Sequence, residues 1–379
     1  MTKKIYETNS YIKEFTSKVV SCESAGDNFE IVLDCTAFFP EEGGQSADKG
    51  YIGDAMVINA LIKGEDIIHI TNAPLEVNKE YPCSINFEER FVKMQNHTGE
   101  HIVSGIIKRE YGFDNVGFHL GENSVTLDVS GVLKKEDIDK IEKLSNEIVY
   151  ANKKITASYP TLESQEKLDF RSKISLREGL RLIEIEDCDL CACCAPHVKS
   201  TGEVGMIKLT DFASHRGGTR ITMYCGEFAR AHYEKSYSLL TKLLKSFSAN
   251  FENAEEKVNL LKEDLANLKV ENKKLKSKIQ FMSLKLKNKG NLTFAFMENA
   301  DFDDMRYSLN TLLEEGKSAV LLISSTNGAN MYMLSSSGDE AKEIFDKMRE
   351  KLTIKGGFRN NFSQGKIENT IEEIKEFLI

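Results

Sequence analysis

Apolar and polar positions alternate in short runs at the start of the chain and repeat with helical spacing further on. Over residues 1–90, short apolar runs alternate with turns rich in Gly, Asn and Asp, a pattern typical of small antiparallel β structure. Helical spacing follows over residues 91–110, and beyond it the pattern predicts a strand at 124–129, a helix at 134–152 and strands with turns over 180–225. We therefore expect an α+β fold over 1–227, with 1–90 as an N-terminal β-rich subdomain and 91–227 as a second domain.

From residue 228 to residue 289 the pattern is helical. A helix at 229–247 is followed by a Ser- and Asn-rich break and by a second helix that we expect to run to Lys289. Apolar positions of this second helix repeat in steps of three and four, and Asn272 falls at an a position, where a buried Asn fixes the register of paired helices. The resulting heptad seam comprises Val258, Leu261, Leu265, Leu268, Asn272, Leu275, Ile279, Met282 and Leu286. It predicts a coiled-coil linker and a homodimer joined through this linker and the C-terminal domain, and the alternative is a long helix packed on its own chain.

The remaining segment, 290–379, has the predicted order β-α-β-β-α and forms a separate α/β domain. Its strands are expected at 292–297, 318–324 and 330–335, and a glycine-rich segment at 355–361 is expected to form a loop before a closing helix.

Composition and charge restrict the class of protein. The chain has 379 residues, 41% of them hydrophobic, and a net charge of -9, which argues against an extensive nucleic-acid surface. A local basic stripe is still available, because eight lysines lie between Lys269 and Lys289. No segment approaches the roughly 18 apolar residues of a membrane span, and the N-terminal residues show no secretory signal. We therefore expect a cytoplasmic protein without a membrane partner.

Two short motifs predict a metal site. His97 and His101 lie one turn apart on a predicted helix, so both imidazoles can reach one ion. Cys193 and His197, four residues apart, can complete a tetrahedral zinc site with them. Cysteines crowd around this position, which in a reducing compartment indicates metal binding or reactivity rather than disulfides. The neighbouring thiols leave the identity of the thiolate open, although the spacing to His197 favours Cys193.

A third motif lies in residues 33–50. Gly43 and Gly44 permit positive φ angles and a close backbone approach, but without other information the pair predicts only a turn. By itself, Thr36 predicts only a residue on the surface of a strand.

Together the three motifs resemble, in order and spacing, the editing domain of alanyl-tRNA synthetase and the free-standing alanyl-tRNA editing proteins of the AlaX family. That family shows a T-x-F-Y-P-E-G-G-G-Q-like stretch, then H-T-x-x-H, then C-G-G-T-H-V-x-x-T-G-x-I-G. The matching residues of this chain are Thr36, Phe39-Pro40, Gly43-Gly44-Gln45, His97, His101, Cys193, His197, Thr201-Gly202 and the segment Arg216–Ile221. The central Gly-Gly-Thr of the third motif is replaced by Cys194-Ala195-Pro196, which alters the loop.

The resemblance implies a fold and an activity. It makes 91–227 a zinc-binding editing domain and 290–379 a DHHA1-like C-terminal domain, the arrangement of the family's long form. The implied activity is a trans-editing hydrolase that removes serine, or glycine, from mischarged tRNA(Ala) with one Zn²⁺ per chain. Nucleotide and ATP binding are carried over from the same family. Because no aminoacylation domain is recognisable, we expect editing without charging.

The resemblance also implies residue roles. Gln45, with the backbone of Gly43 and Gly44, would position the hydrolytic water, Thr36 would bind the serine hydroxyl, and Arg220 would bind substrate. Four protein ligands form a closed site, whereas Lewis-acid catalysis requires an open position, so the sequence leaves the role of zinc open.

Two alternatives use the same residues differently. His97–His101 also spells H-x-x-E-H, a metallopeptidase motif in which Glu100 is the general base and Glu178 is available as third metal ligand. A non-catalytic tRNA-binding protein with a structural zinc is the second alternative. Editing domains of threonyl-tRNA synthetases use similar ligand pairs, but the stretch from Thr36 to Gln45 favours the alanine branch.

Overall fold

The chain divides into two compact units, Met1–Thr241 and Lys242–Ile379. A computed structural model describes residues 2–172, 175–326 and 329–378. Each unit combines helices and sheets around hydrophobic cores of its own, in agreement with the predicted α+β class. The finer division into four domains stays a prediction. Within the described ranges, no helix has the length and apolar character needed to cross a membrane.

The first unit begins with a small barrel. The strands of this region are β1 (Lys3–Lys4), β2 (Glu14–Ala25), β3 (Asn28–Leu33), β4 (Cys35–Thr36), β5 (Gly50–Ile52), β6 (Ala55–Lys63), β7 (Asp66–Thr71) and β8 (Glu80–Ile85). Six of them close in the order β2-β3-β7-β6-β5-β8 through antiparallel pairs, while β1 and β4 pair in parallel. Val19, Ile31 and Ile52 point inwards and are fully buried, because successive side chains of a strand face opposite sides. The predicted antiparallel β structure is confirmed.

Helix α1 (Phe87–Tyr111) follows the barrel directly. The side chain of Asn86 caps its start by accepting a hydrogen bond from a backbone N–H of the first turn at 3.3 Å. Gly112 ends it in the left-handed region, at φ 72°. A Cβ at Gly105 would lie 2.6 Å from the carbonyl oxygen of Cys188, so the glycine permits close packing there. This contact holds the middle of α1 against the cysteine-rich segment.

The chain continues with two further sheets and their helices. The elements are β9 (Asn115–Leu120), β10 (Val125–Val129), α2 (Lys135–Tyr150), β11 (Ile155–Ser158), α3 (Leu162–Gln165), β12 (Leu182–Ile185), β13 (Asp189–Ala192), β14 (Ile207–His215), β15 (Gly218–Cys225) and α4 (Glu227–Ser246). The sheets have the orders β14-β15-β10-β9 and β11-β12-β13. Apolar residues of α1, α2 and the larger sheet, such as Ile102, Ile141 and Leu127, form one core. The strand predicted at 124–129 and the helix predicted at 134–152 are both confirmed.

The second unit contains a long helix and one mixed sheet. Its elements are α5 (Ala254–Met282), β16 (Lys287–Lys289), β17 (Leu292–Glu298), α6 (Phe302–Glu314), β18 (Ala319–Thr326), β19 (Ala329–Ser336), α7 (Glu340–Lys351), β20 (Ile354–Arg359), β21 (Phe362–Ile367) and α8 (Ile371–Leu378). The sheet order is β16-β17-β18-β19-β21-β20, with β17 and β18 parallel and the other pairs antiparallel.

Two expectations for this unit were wrong. The long helix ends at Met282 and not at Lys289, because the residues from Lys287 onwards form β16 and pair with β17. The glycine-rich segment is not a loop, because its first part forms strand β20. A Cβ at Gly356 would lie 2.6 Å from the carbonyl oxygen of Gln364 on β21, so this glycine permits close strand pairing rather than a turn.

Helix α5 packs on α6 through a face that is not the predicted seam. Ser277 donates a hydrogen bond to Asp304 at 2.5 Å, and the Phe281 ring meets the Tyr307 ring edge-on at 6.2 Å between centroids. Seam residues remain exposed, for example Leu265 at 54%. The long helix thus packs on its own chain, as the alternative expected, but through another face, and the pairing of its seam with a second chain stays a prediction.

Candidate metal centre

The four predicted ligands come together between α1 and the segment after β13. The ligand atoms of His97, His101, Cys193 and His197 all lie within 4.8 Å of one another. Cys193 Sγ lies 3.5 Å from His97 Nε2 and 3.3 Å from His197 Nε2. A tetrahedral ion bonded at about 2.3 Å to sulfur and about 2.0 Å to nitrogen would separate such atoms by about 3.5 Å. The group could therefore hold one metal ion.

Each imidazole is in hydrogen-bonding contact through its Nδ1 atom, and the partner is of a different kind in each case. The contacts are His97 with Gln45 Oε1 at 2.9 Å, His197 with Thr98 Oγ1 at 3.0 Å and His101 with Asp189 Oδ2 at 3.0 Å. An amide oxygen or a carboxylate oxygen accepts, so Nδ1 carries the proton and Nε2 keeps its lone pair. The Nε2 atoms are thereby left for the ion.

The electrostatics of the group suit metal binding. Burial lowers the pKa of both His97 and His197 well below the usual value, and the neighbouring His101 lowers it further. Both rings are therefore neutral at pH 7, the form in which histidine binds a metal. Burial raises the pKa of the Cys193 thiol well above its usual value. Binding an ion must therefore displace the thiol proton, so metal affinity should rise with pH.

Gln45 lies directly against this group. It is 1% exposed, its Oε1 faces His97, and its Nε2 has no hydrogen-bond partner among the described residues. The turn before it needs glycine, because Gly43 and Gly44 have φ angles of 62° and 82°. A Cβ at Gly44 would lie 2.5 Å from the backbone oxygen of Phe118. The glycine pair therefore sets Gln45 behind His97, with one buried donor unused.

Thr36 and Arg220 lie elsewhere. Thr36 is buried beside His69, whose Nε2 lies 2.8 Å from its hydroxyl oxygen. Arg220 is exposed on β15 and forms a two-bond ion pair with Asp128 at 2.6 and 2.7 Å. Across the described parts of the chain, no hydrogen bond or ion pair joins either residue to the four ligands. Their substrate-binding roles stay predictions.

Several residues around the site were not predicted. Asp189 binds His101 and is itself held by Arg171, while Thr98 supports His197. Arg181 donates to the carbonyl oxygens of Cys193 and Ala195 at 3.1 and 2.8 Å, which fixes the ligand loop. The sequence places Thr98 inside the histidine motif and Asp189 just before the cysteines, so both positions could have been proposed. Nothing in the local pattern points to the two arginines.

The metallopeptidase alternative lacks its third ligand in this geometry. Glu100 is buried, and its Oε1 accepts hydrogen bonds from Ser104 and, at 2.6 Å, from Asn115 Nδ2. Glu178 is exposed, unlike the buried histidines of the group. The position that such an enzyme gives to a glutamate is filled here by Cys193 and His197.

One segment of the chain matches a known domain family. Residues 180–222 match the model of the threonyl and alanyl tRNA synthetase second additional domain. This segment begins just before β12 and contains both Cys193 and His197, so the matched domain supplies half of the metal group. This segment is thus similar to the second additional domain of threonyl and alanyl tRNA synthetases.

Comparison over the full length of the chain finds similarity to alanyl-tRNA editing proteins and to alanine–tRNA ligases. The chain is 28% identical to the alanyl-tRNA editing protein AlaX-L of Pyrococcus horikoshii, over 99% of this chain and 96% of that protein. It is 26% identical to the alanyl-tRNA editing protein Aarsd1 of Danio rerio, over 97% and 94%. Against the alanine–tRNA ligase of Pyrococcus abyssi the identity is 29%, over 99% of this chain but 43% of the ligase. The chain is therefore similar over nearly its whole length to alanyl-tRNA editing proteins.

Proposed function

We propose that this protein is a trans-editing hydrolase that removes a wrongly attached amino acid from tRNA(Ala), primarily serine and secondarily glycine. The observation that carries the proposal is the buried group of His97, His101, Cys193 and His197, with Gln45 against it, in a chain similar to named editing proteins over nearly its whole length. The protein would then act in translation fidelity. Its cytoplasmic location and the binding of ATP stay predictions.

Zinc is the ion that this proposal assigns to the site, one per chain. Three imidazoles and one thiolate at tetrahedral spacing are a donor set that zinc prefers. Bound zinc would supply a fixed positive charge that orients the substrate and polarises its ester. Because four protein ligands leave no open position, we assign the direct handling of water and the ester carbonyl to protein donors.

Gln45 is the donor to which we assign this role. Its Oε1 accepts the proton of His97 Nδ1, so its Nε2 is oriented as a donor and has no partner among the described residues. Such a buried donor stabilises an oxygen that carries or develops negative charge, either the attacking water or the ester carbonyl oxygen. Gly43 and Gly44 hold it in place through a backbone that other residues rarely adopt.

Thr36 is proposed to distinguish serine from alanine. His69 Nδ1 faces the carbonyl oxygen of Ile31 at 3.1 Å and donates to it, so His69 Nε2 accepts the Thr36 proton. Thr36 Oγ1 also accepts from the backbone N–H of Phe38 at 3.1 Å, which leaves one lone pair. That lone pair could accept a hydrogen bond from a serine hydroxyl but gains nothing from alanine. A site built to bind a substrate hydroxyl discriminates by about 10⁴-fold or more.

The second unit is proposed to bind tRNA and to join two chains. The exposed seam of α5, with Asn272 at an a position, would pair with the same face of a second copy. The lysines between Lys269 and Lys289 would then lie beside the pairing face and contact phosphates. We propose Arg220 as a further substrate contact and a DHHA1-like role for residues 290–379.

The test is the hydrolysis of Ser-tRNA(Ala) and Ala-tRNA(Ala) by equal amounts of protein, before and after removal of metal. Release of serine alone, lost on His97→Ala and retained in the matched surface variant His119→Ala, is the expected result. If the folded, zinc-loaded protein releases neither amino acid, the editing proposal is wrong.

A non-catalytic tRNA-binding protein with a structural zinc is the competing proposal. It accounts for the four ligands and for the exposed helix, but it gives no task to Gln45 or Thr36. Variants of these two residues should leave tRNA binding unchanged under either proposal, so a loss of hydrolysis with unchanged tRNA affinity favours the editing enzyme.

A further inference from the structure

His101 is the ligand whose supporting contact carries a full charge. Its Nδ1 faces the carboxylate of Asp189, whereas His97 and His197 face a neutral amide and a neutral hydroxyl. Hydrogen bonds to a charged group are about twice as strong as those between neutral groups. The support behind His101 is therefore the most rigid of the three.

The carboxylate of Asp189 is itself fixed by a half-buried arginine. Arg171 Nε lies 2.6 Å from Asp189 Oδ1, and Arg171 Nη2 lies 2.7 Å from Oδ2, so both oxygens are engaged. The Asp189 side chain is 2% exposed, and water therefore does not orient it. A planar guanidinium fork matches a carboxylate in two parallel bonds and sets its plane. Oδ2 is shared between Arg171 and His101.

The backbone of Arg171 adds a second link to the ligand segment. Its N–H donates to the carbonyl oxygen of Leu190 at 2.8 Å, and its carbonyl oxygen accepts from the N–H of Ala192 at 2.9 Å. These bonds join it to β13, the strand that ends one residue before Cys193. Arg171 is thus tied to two of the four ligands, through a side chain to His101 and through β13 to Cys193.

We propose that Asp189 and Arg171 are positioning residues of the metal centre, which hold His101 in the tautomer and orientation that bind the ion. The inference rests on the proposed zinc site and names two of its determinants beyond the ligands. A second cysteine thiol, that of Cys191, lies within 4.8 Å of the ligand atoms of His101 and Asp189. Because the positively charged Arg171 side chain already binds the Asp189 carboxylate, its charge would also repel a second cation at that position.

The test measures zinc affinity and stoichiometry rather than turnover. Zinc dissociation constants are measured by chelator competition for the wild type, Asp189→Asn, Arg171→Lys and the control Asp187→Asn. Asp187 is exposed, lies two residues away and pairs only with a surface lysine, Lys153, in the contacts described, so it controls for the same chemical change. Loss of an outer-shell partner of a metal ligand typically costs 10–100-fold in affinity. We expect that loss for Asp189→Asn and a smaller one for Arg171→Lys.

Folding is checked separately, by circular dichroism and thermal unfolding of the metal-free proteins. The Co²⁺-loaded proteins add a spectroscopic readout, because the visible absorption of cobalt reports the geometry of its ligands. An altered cobalt spectrum in Asp189→Asn and an unaltered one in Asp187→Asn are expected. Zinc affinities of Asp189→Asn and Arg171→Lys within about twofold of the wild type would overturn the inference while leaving the editing proposal intact. A wild type that binds no zinc would instead remove the metal site on which both depend.

Discussion

Replacing Gln45 by Glu and by Met separates the contributions of its amide oxygen and its amide nitrogen. The oxygen end faces His97 Nδ1 at 2.9 Å, and the nitrogen end is a buried donor without a partner in the described structure. Gln45→Glu keeps an acceptor for His97 and removes the donor. Gln45→Met removes both and keeps nearly the same volume. The glycine turn that places the side chain is untouched in either variant.

The expected magnitudes follow from these contacts. Loss of one preorganised donor to a developing oxyanion costs about 10²–10³-fold in kcat, roughly 3–4 kcal/mol. Both variants should therefore lose about that much kcat on Ser-tRNA(Ala). Zinc affinity should differ between them: Gln45→Glu keeps the bond that fixes the His97 tautomer, and Gln45→Met should bind zinc about 10–100-fold more weakly.

The assay is single-turnover deacylation at saturating enzyme, with zinc content measured on the same samples. Wild-type kcat in fully loaded Gln45→Glu would refute the role of the amide nitrogen. Equal zinc affinities of Gln45→Met and the wild type would refute the argument that Gln45 fixes His97.

Two further predictions concern stability and assembly. Burial lowers the pKa of His69 from 6.5 to about 4. As the pH falls, His69 therefore takes up a proton in the unfolded chain before it does so in the folded chain. The free energy of unfolding that this group contributes above pH 6.5 is therefore lost as the pH falls towards 4. The loss is about 3 kcal/mol for this group. The free energy of unfolding measured in urea should therefore fall less between pH 7 and pH 4 in His69→Gln than in the wild type, and equal losses would contradict the assignment. Leu265→Glu, on the exposed seam of α5, should give a monomer by light scattering while the off-seam Ala266→Glu stays dimeric; a wild type that is monomeric at all concentrations would contradict the pairing.

The sequence was most informative where chemistry and local geometry coincide. His97 and His101 lie one helical turn apart, and four-residue spacing also links Cys193 to His197, so local spacing alone indicated how the ligands could converge. The antiparallel start of the chain was predictable for a similar reason, since its alternation reflects a barrel with one buried face.

Long-range contacts were not predictable in this way. Arg171 joins the site through pairing with Asp189, and no periodicity marks a residue whose partner is set by tertiary packing. The end of α5 was missed because the heptad pattern continues to Leu286, while sheet pairing from Lys287 onwards ends the helix earlier. Gly356 was assigned to a loop because glycine favours turns, yet here it permits close contact between two strands.

Gln45 and the four residues of the metal group lie on three stretches of chain that leave the ribosome at different times. His97 lies 52 positions after Gln45, and Cys193 lies 96 positions after His97. At about 5–20 residues per second, some 5–20 s of synthesis separate the two histidines from the thiol. During that interval α1 offers this site its two imidazoles alone, without the Cys193 sulfur that favours zinc over harder ions. Selective capture of the proposed zinc ion would therefore occur late in translation, after the cysteine loop has emerged.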